Sequence, residues 1–131
     1  MALQMSDTAL NALLDAIETA TGVSPTMEIR SGAPPANCAA ADSGTVLATL
    51  TLPSDWMAAA ASHVKAKAGT WEDASADAGG VAGHFRIKAG ATTHLQGTCG
   101  QGSGDLSFDN ATFVAGQKIT ITGFTLTAGN I

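Results

Sequence analysis

The chain has 131 residues and a mass of 13.0 kDa, one domain's worth, and half of it is Ala, Gly, Thr and Ser, with 26 alanines. Leu, Ile, Val and Phe make up about a fifth, so the core is expected to be thin and the lone chain marginally stable, which favours a partner surface that adds burial. A net charge of −5 and a pI near 4.8 give no electrostatic footprint for nucleic acid or anionic lipid, and no apolar run is long enough to span a membrane.

The N-terminus carries Asp7 and no basic segment, unlike a signal peptide, so the protein is expected on the cytosolic side. Cys38 and Cys99 then read as reduced thiols serving as small apolar filler. From Ser6 to about Thr21, Leu10, Leu13, Leu14 and Ile17 fall at i, i+3, i+4 and i+7, the stripe of an amphipathic helix. Ser6 or Asp7 caps it, Asp15 and Glu18 lie off the stripe, and Gly22 with Pro25 ends it. Residues 1–22 therefore form an N-terminal arm and helix, and 23–131 a β domain.

After Gly22 the period drops to two. Met27 and Ile29 alternate with Thr26, Glu28 and Arg30 as a half-buried strand, and Ser31 to Gly44 reads as a long Pro- and Ala-containing loop. Thr45 to Leu52 is a strand with Val46, Ala48, Leu50 and Leu52 on one face, closed by Pro53. Alanine propensity predicts one or two helical turns over Ser54 to Ser62. Lys65 to Asp73 is extended around Trp71, with Lys65 and Lys67 as a solvated edge, and Ala74 to Gly80 is a loop. In Val81 to Ala89, Val81, Gly83, Phe85, Ile87 and Ala89 face inward and His84, Arg86 and Lys88 outward. A three-residue turn at Gly90 to Thr92 pairs Ile87 with Leu95 and Phe85 with Gly97, whereas a two-residue turn sets Ile87 against His94 and costs burial. Gly100 to Gly104 is a turn before a short strand with Leu106 and Phe108. The last strand, Gln117 to Thr127, changes face at Gly123, which predicts a β-bulge. One helix followed by six to eight short strands gives a mainly β chain, an antiparallel sandwich or barrel with one N-terminal α-helix.

No chemical site emerges. In that register His84 and His94 lie about 20 Å apart, too far to share an ion, and the histidines are expected exposed and unligated. The acids Glu72, Asp73 and Asp77, and Asp105, Asp109 with Asn110, do not match a calcium loop. Gly100, Gly102 and Gly104 lack the lysine and spacing of a phosphate loop, and Ser103 sits in no nucleophile elbow. Asn110-Ala111-Thr112 matches a glycosylation sequon by chance. An enzyme, a metal and a cofactor are not expected. In a chain with so few large side chains Trp56 and Trp71 plug the core, or one of them anchors an interface, with Trp56-Met57 the better placed for that.

The runs RSGAPPAN (30–37), AADSGTVLATLTLPSDW (40–56), KAKAGTW (65–71), GHFRIK (83–88) and FTLT (124–127) resemble small cement, head-decoration or minor capsid proteins of tailed bacteriophages. The resemblance spans roughly Thr26 to Asn130. It implies a jelly-roll-like β-sandwich that assembles as a homotrimer on the phage head, with the major capsid protein as partner and the virion surface as location, and with no direct contact to nucleic acid or membrane. The segments expected to face the capsid or a neighbouring copy are Met1 to Met5 with apolar Met1, Leu3 and Met5, the loop Ser31 to Gly44, and Trp56 with Met57. Other expectations are another phage component (tail, neck or fibre attachment) or a carbohydrate-binding sandwich, the latter disfavoured by two Trp and no Tyr.

Overall fold

The helix forms where its capping chemistry permits. In the computed structural model, which describes residues 3–128, α1 runs Asp7–Thr21, and the Ser6 hydroxyl accepts from the Ala9 N–H at 3.2 Å as N-cap. Gly22, at φ 91°, donates to the Glu18 carbonyl and turns the chain away. Its apolar stripe is narrower than the sequence pattern: Leu10 and Leu14 are buried, Ile17 is half-buried, and Leu13 is 53% exposed.

The remainder is mainly β, as expected, and curls rather than lying flat. Strands β1 (Thr26–Ser31), β2 (Val46–Thr51), β5 (Gly80–Ala89), β6 (Thr92–Gln101) and β7 (Leu106–Phe108) order as β2-β1-β5-β6-β7, and β8 (Thr112–Phe113) pairs with β5. Two short ribbons complete the fold: β3 (Val64–Ala66) with β10 (Thr125–Thr127), and β4 (Trp71–Asp73) with β9 (Ile119–Ile121). All these pairings are antiparallel except β6–β7. That parallel pair closes over a loop of four residues, where a crossover of a dozen or so is usual. The coil needs its glycines: Gly102 and Gly104 have φ of 68° and 86°, and a Cβ on Gly100 would strike Ser103.

Ser54 to Ser62 is not helical. The chain from Met57 to Lys67 is a hairpin, with bridges Met57–Lys67 and Ala61–Val64 and a turn at Ser62-His63. Both turn residues have positive φ, 50° and 51°, which makes it type I′. Alanine propensity is worth under about 1 kcal/mol per residue, and burying adjacent Trp56 and Met57 with paired backbone outweighs it.

Three irregularities in register redirect side chains. The β5–β6 turn is the two-residue one, Gly90-Ala91, yet Ile87 still pairs with Leu95 and Phe85 with Gly97, because the register shifts by one residue at His94. A shift in the β1–β2 pairing leaves Leu47 unmatched and buried beside Ala48. A shift opposite Gly83 buries Ala82 and leaves Val81 61% exposed, the reverse of strict alternation. The change of face near Gly123 is not a bulge within one strand: β9 and β10 are separate strands with different partners.

The core is a connected aromatic line. Trp56 and Trp71 lie 6.0 Å apart, Trp71 and Phe124 5.4 Å, and Phe124 and Phe85 5.6 Å, with Met27, Ile29, Leu50 and Ile87 packed into the same cluster. These few large side chains do the work that many aliphatic ones do elsewhere.

Candidate functional site

The face of β1 and β5 expected to meet water is covered. Glu28 and Arg30 on β1, His84, Arg86 and Lys88 on β5, and Gln96 on β6 all lie beneath or beside residues 32–44. Arg86, 1% exposed, donates to the carbonyls of Asn37 (3.2 Å), Cys38 (3.0 Å) and Ala40 (3.1 Å), to Gln96 Oε1 (3.2 Å) and to Asp42 Oδ1. Gln96 Nε2 donates to the Pro35 carbonyl at 2.8 Å, and Arg30 Nη1 to the Ser43 carbonyl at 3.3 Å. A loop without large apolar side chains is thereby held through its own carbonyls, which charged donors bind about twice as strongly as neutral ones.

Asp42 is the common counter-ion. Its carboxylate meets Lys88 Nζ at 2.6 Å, Arg86, and Arg30 Nη2 at 3.3 Å, while Glu28 meets Arg30 at 2.8 Å and Lys88 at 3.0 Å. The hydrogen bond from Lys88 holds the Asp42 carboxyl down at about 2, with Arg86 and Arg30 adding to it against the cost of burial. His84 is fully buried, its Nδ1 2.9 Å from the Gly32 carbonyl; since a carbonyl only accepts, Nδ1 carries the hydrogen. The expected exposed histidine is thus a packed one. Beside it Gly83 touches the Gly32 backbone so closely that no Cβ fits.

A second polar clasp holds α1. Asp7, Asn11, Asp15 and Glu18 form one stripe, and the last three accept backbone N–H groups from the hairpin: His63 to Asn11 at 2.9 Å, Ala60 to Asp15 at 3.0 Å, and Met57 to Glu18 at 3.3 Å. Lys65, read as a solvated edge, is 1% exposed and bound to Asp15 at 2.7 Å and Glu18 at 2.9 Å. Burial disfavours the Lys65 ammonium, but the two carboxylates outweigh it and raise its pKa; the same bond lowers that of Asp15.

These two clasps take in four of the six basic side chains, Arg30, Lys65, Arg86 and Lys88. Lys67 lies over the Trp71 ring at 5.8 Å, and Lys118 pairs with Glu72 at the surface. Asp7, Asp55, Asp77, Asp105 and Asp109 stay exposed, so the exterior is more acidic than the composition suggests.

The residues expected at an interface divide. Trp56 and Met57 are 0% and 1% exposed, with Trp56 Nε1 donating to the Gly22 carbonyl at 3.0 Å; they are core residues and have no surface to offer a partner, which corrects that expectation. Leu3 is 72% exposed, Met5 half-buried, and Met1 lies outside the described residues. The loop Ser31 to Gly44 presents one side to solvent and the other to the buried charges. Cys38 and Cys99 are free and half-buried, and burial, with Asp105 nearby, pushes the Cys99 thiol up to about 12. Asp105, weighed as a calcium-loop acid, instead accepts from the Thr98 N–H at 2.9 Å and braces the glycine coil. Among the described residues no three of His, Cys, Asp and Glu gather as a metal set, and no helix is long and apolar enough to cross a membrane.

A shallow cavity of about 540 Å³ beside the clamp is lined by Cys38 to Asp42, Arg86 and the β5–β6 turn. Every Arg86 N–H group there is already directed at a protein acceptor. The alternation Arg30, His84, Arg86, Lys88 beside a long loop without large apolar side chains was the available sign of this buried cluster. Compared with known proteins, the chain matches no family model, no curated protein and no solved structure.

Proposed function

We propose that the chain is a structural virion protein, a cement or decoration protein that binds the outside of a tailed-phage head and reinforces contacts between major capsid protein subunits. One observation carries this reading. The runs that resemble such proteins, 30–37, 40–56, 65–71, 83–88 and 124–127, include most of the clamped loop, the cations Arg30, Arg86 and Lys88 beneath it, and the ring line Trp56, Trp71, Phe124 and Phe85. Resemblance and physical framework coincide, which supports a shared architecture rather than chance composition. The curled sheet and its two ribbons are read here as a variant of the jelly-roll sandwich.

The chemistry fits a part that bears load. Backbone carbonyls clamped by buried guanidinium and ammonium groups stiffen the surface, and an acidic exterior keeps free copies soluble before they attach. Copies in a trimer bridge neighbouring capsid subunits, and many weak contacts sum by avidity. Quantitative mass spectrometry of purified virions, with cryo-EM of the head, tests the proposal. About one copy per capsid subunit is expected on the outer surface; a few copies per particle, or density at the tail or neck, rejects it.

A further inference from the structure

The far edge of β6 is open. β5 pairs with one side of this strand, and β7 takes the other only at Cys99 to Gln101; from Thr92 to Gly97 no strand lies there among the described residues. β10 is likewise paired on one side, to β3. A groove of about 290 Å³ is lined by residues of both strands, with Phe85, Leu95, Phe124 and Leu126 as its apolar members. Leu95 and Leu126 are only half-buried, and α1 touches β6 yet gives no residue to the groove. An open edge beside apolar side chains is a template for another chain.

We propose that the N-terminal arm of a second copy fills this groove, adding a strand to the open edge of β6. The arm offers long apolar side chains at Met1 and Leu3, two residues apart as on one face of a strand, with the small Ala2 and the polar Gln4 on the other. It carries no acidic side chain, so it meets this acidic surface without repulsion. It also leaves the molecule near the groove. Asp7 reaches His63 at 3.4 Å, and the His63 carbonyl accepts from Ala128, the residue just beyond β10. Five extended residues span about 16 Å. Within its own chain Leu3 stays 72% exposed, so the groove is left for another copy. The contact concerns copies in solution and stands whether or not the protein binds a capsid.

Analytical ultracentrifugation of the purified full chain tests it, together with a benzophenone side chain at position 3 in mixed light and isotope-labelled protein. The mass is expected to rise above 13.0 kDa with concentration. Leu3→Asp should weaken association by about thirtyfold. Heavy–light crosslinks should map to residues 94–97 or 124–127. Thr127→Arg, an exposed position lining the groove, should weaken association from the other side with an unchanged circular dichroism spectrum. A chain that stays monomeric at every concentration, association indifferent to Leu3→Asp, or crosslinks confined to one chain or to other strands overturns the proposal.

Discussion

Arg86→Met removes the centre of the loop clamp while keeping most of the side chain's hydrocarbon. Five hydrogen bonds disappear, leaving the carbonyls of Asn37, Cys38 and Ala40, the Gln96 amide oxygen and the Asp42 carboxylate short of a donor. Asp42 keeps Lys88 and Arg30, and the Asn37 carbonyl keeps the Ala40 N–H, but if the loop stayed in place each acceptor left with no donor would cost about 1–3 kcal/mol. Residues 32–44 should therefore lift and hydrate, which caps the loss at about 3–5 kcal/mol, the range for breaking a buried charged network. A domain of this kind holds about 5–15 kcal/mol in total, so the variant remains folded but weakened. Urea unfolding followed by the fluorescence of Trp56 and Trp71 measures the loss, and hydrogen exchange of amides 32–44 shows where it falls. Arg86→Lys should recover less than half, because an ammonium with three donors cannot serve five acceptors. A loss below about 1 kcal/mol with the loop amides still protected would refute the reasoning.

Three further outcomes follow from the same geometry. Asp42 is held near 2 in the folded chain against about 3.9 unfolded, so its stabilisation is complete above pH 4 and lost as pH falls toward 2. With its side chain 36% exposed, screening limits the effect to about 1 kcal/mol, and Asp42→Asn should flatten that part of the urea-midpoint-versus-pH curve. Lys65→Met should cost about 3 kcal/mol and release α1, read as lost helical signal in far-ultraviolet circular dichroism. Because the Lys65 pKa is raised on folding, its contribution in the unsubstituted protein is intact below about pH 10 and fades as pH climbs through the raised value. Ser62→Asn with His63→Gly, the pair a type I′ turn prefers, should raise stability by about 1 kcal/mol in the same urea assay, since neither native residue favours positive φ.

Much of the β framework was legible because burial writes a period of two into sequence. Met27 with Ile29, and Phe85 with Ile87, placed their strands, and the pairing of Ile87 with Leu95 followed from matching apolar residues. The turn that delivers this pairing was not legible, because a register shift at His94 leaves no mark in hydrophobicity. Arg30, Arg86 and Lys88 were read as solvent-facing since charge ordinarily is; only the three-dimensional return of residues 32–44 supplies their acceptors. The same holds for Lys65, whose partners Asp15 and Glu18 lie about fifty residues earlier. Trp56 fell between a plug and an anchor because its neighbours, four alanines, carry no periodicity to choose between them.

Drawing its basic groups inward gives the molecule a colloidal character of its own. Seen by an approaching body, it behaves as a nearly unmixed polyanion, since most of its cations are neutralised at depth while Asp55, Asp109 and their like face the ion atmosphere. At 0.1 M salt that atmosphere extends about 10 Å, so copies repel one another at long range, and any contact between them or with another acidic surface should tighten as added salt weakens the field.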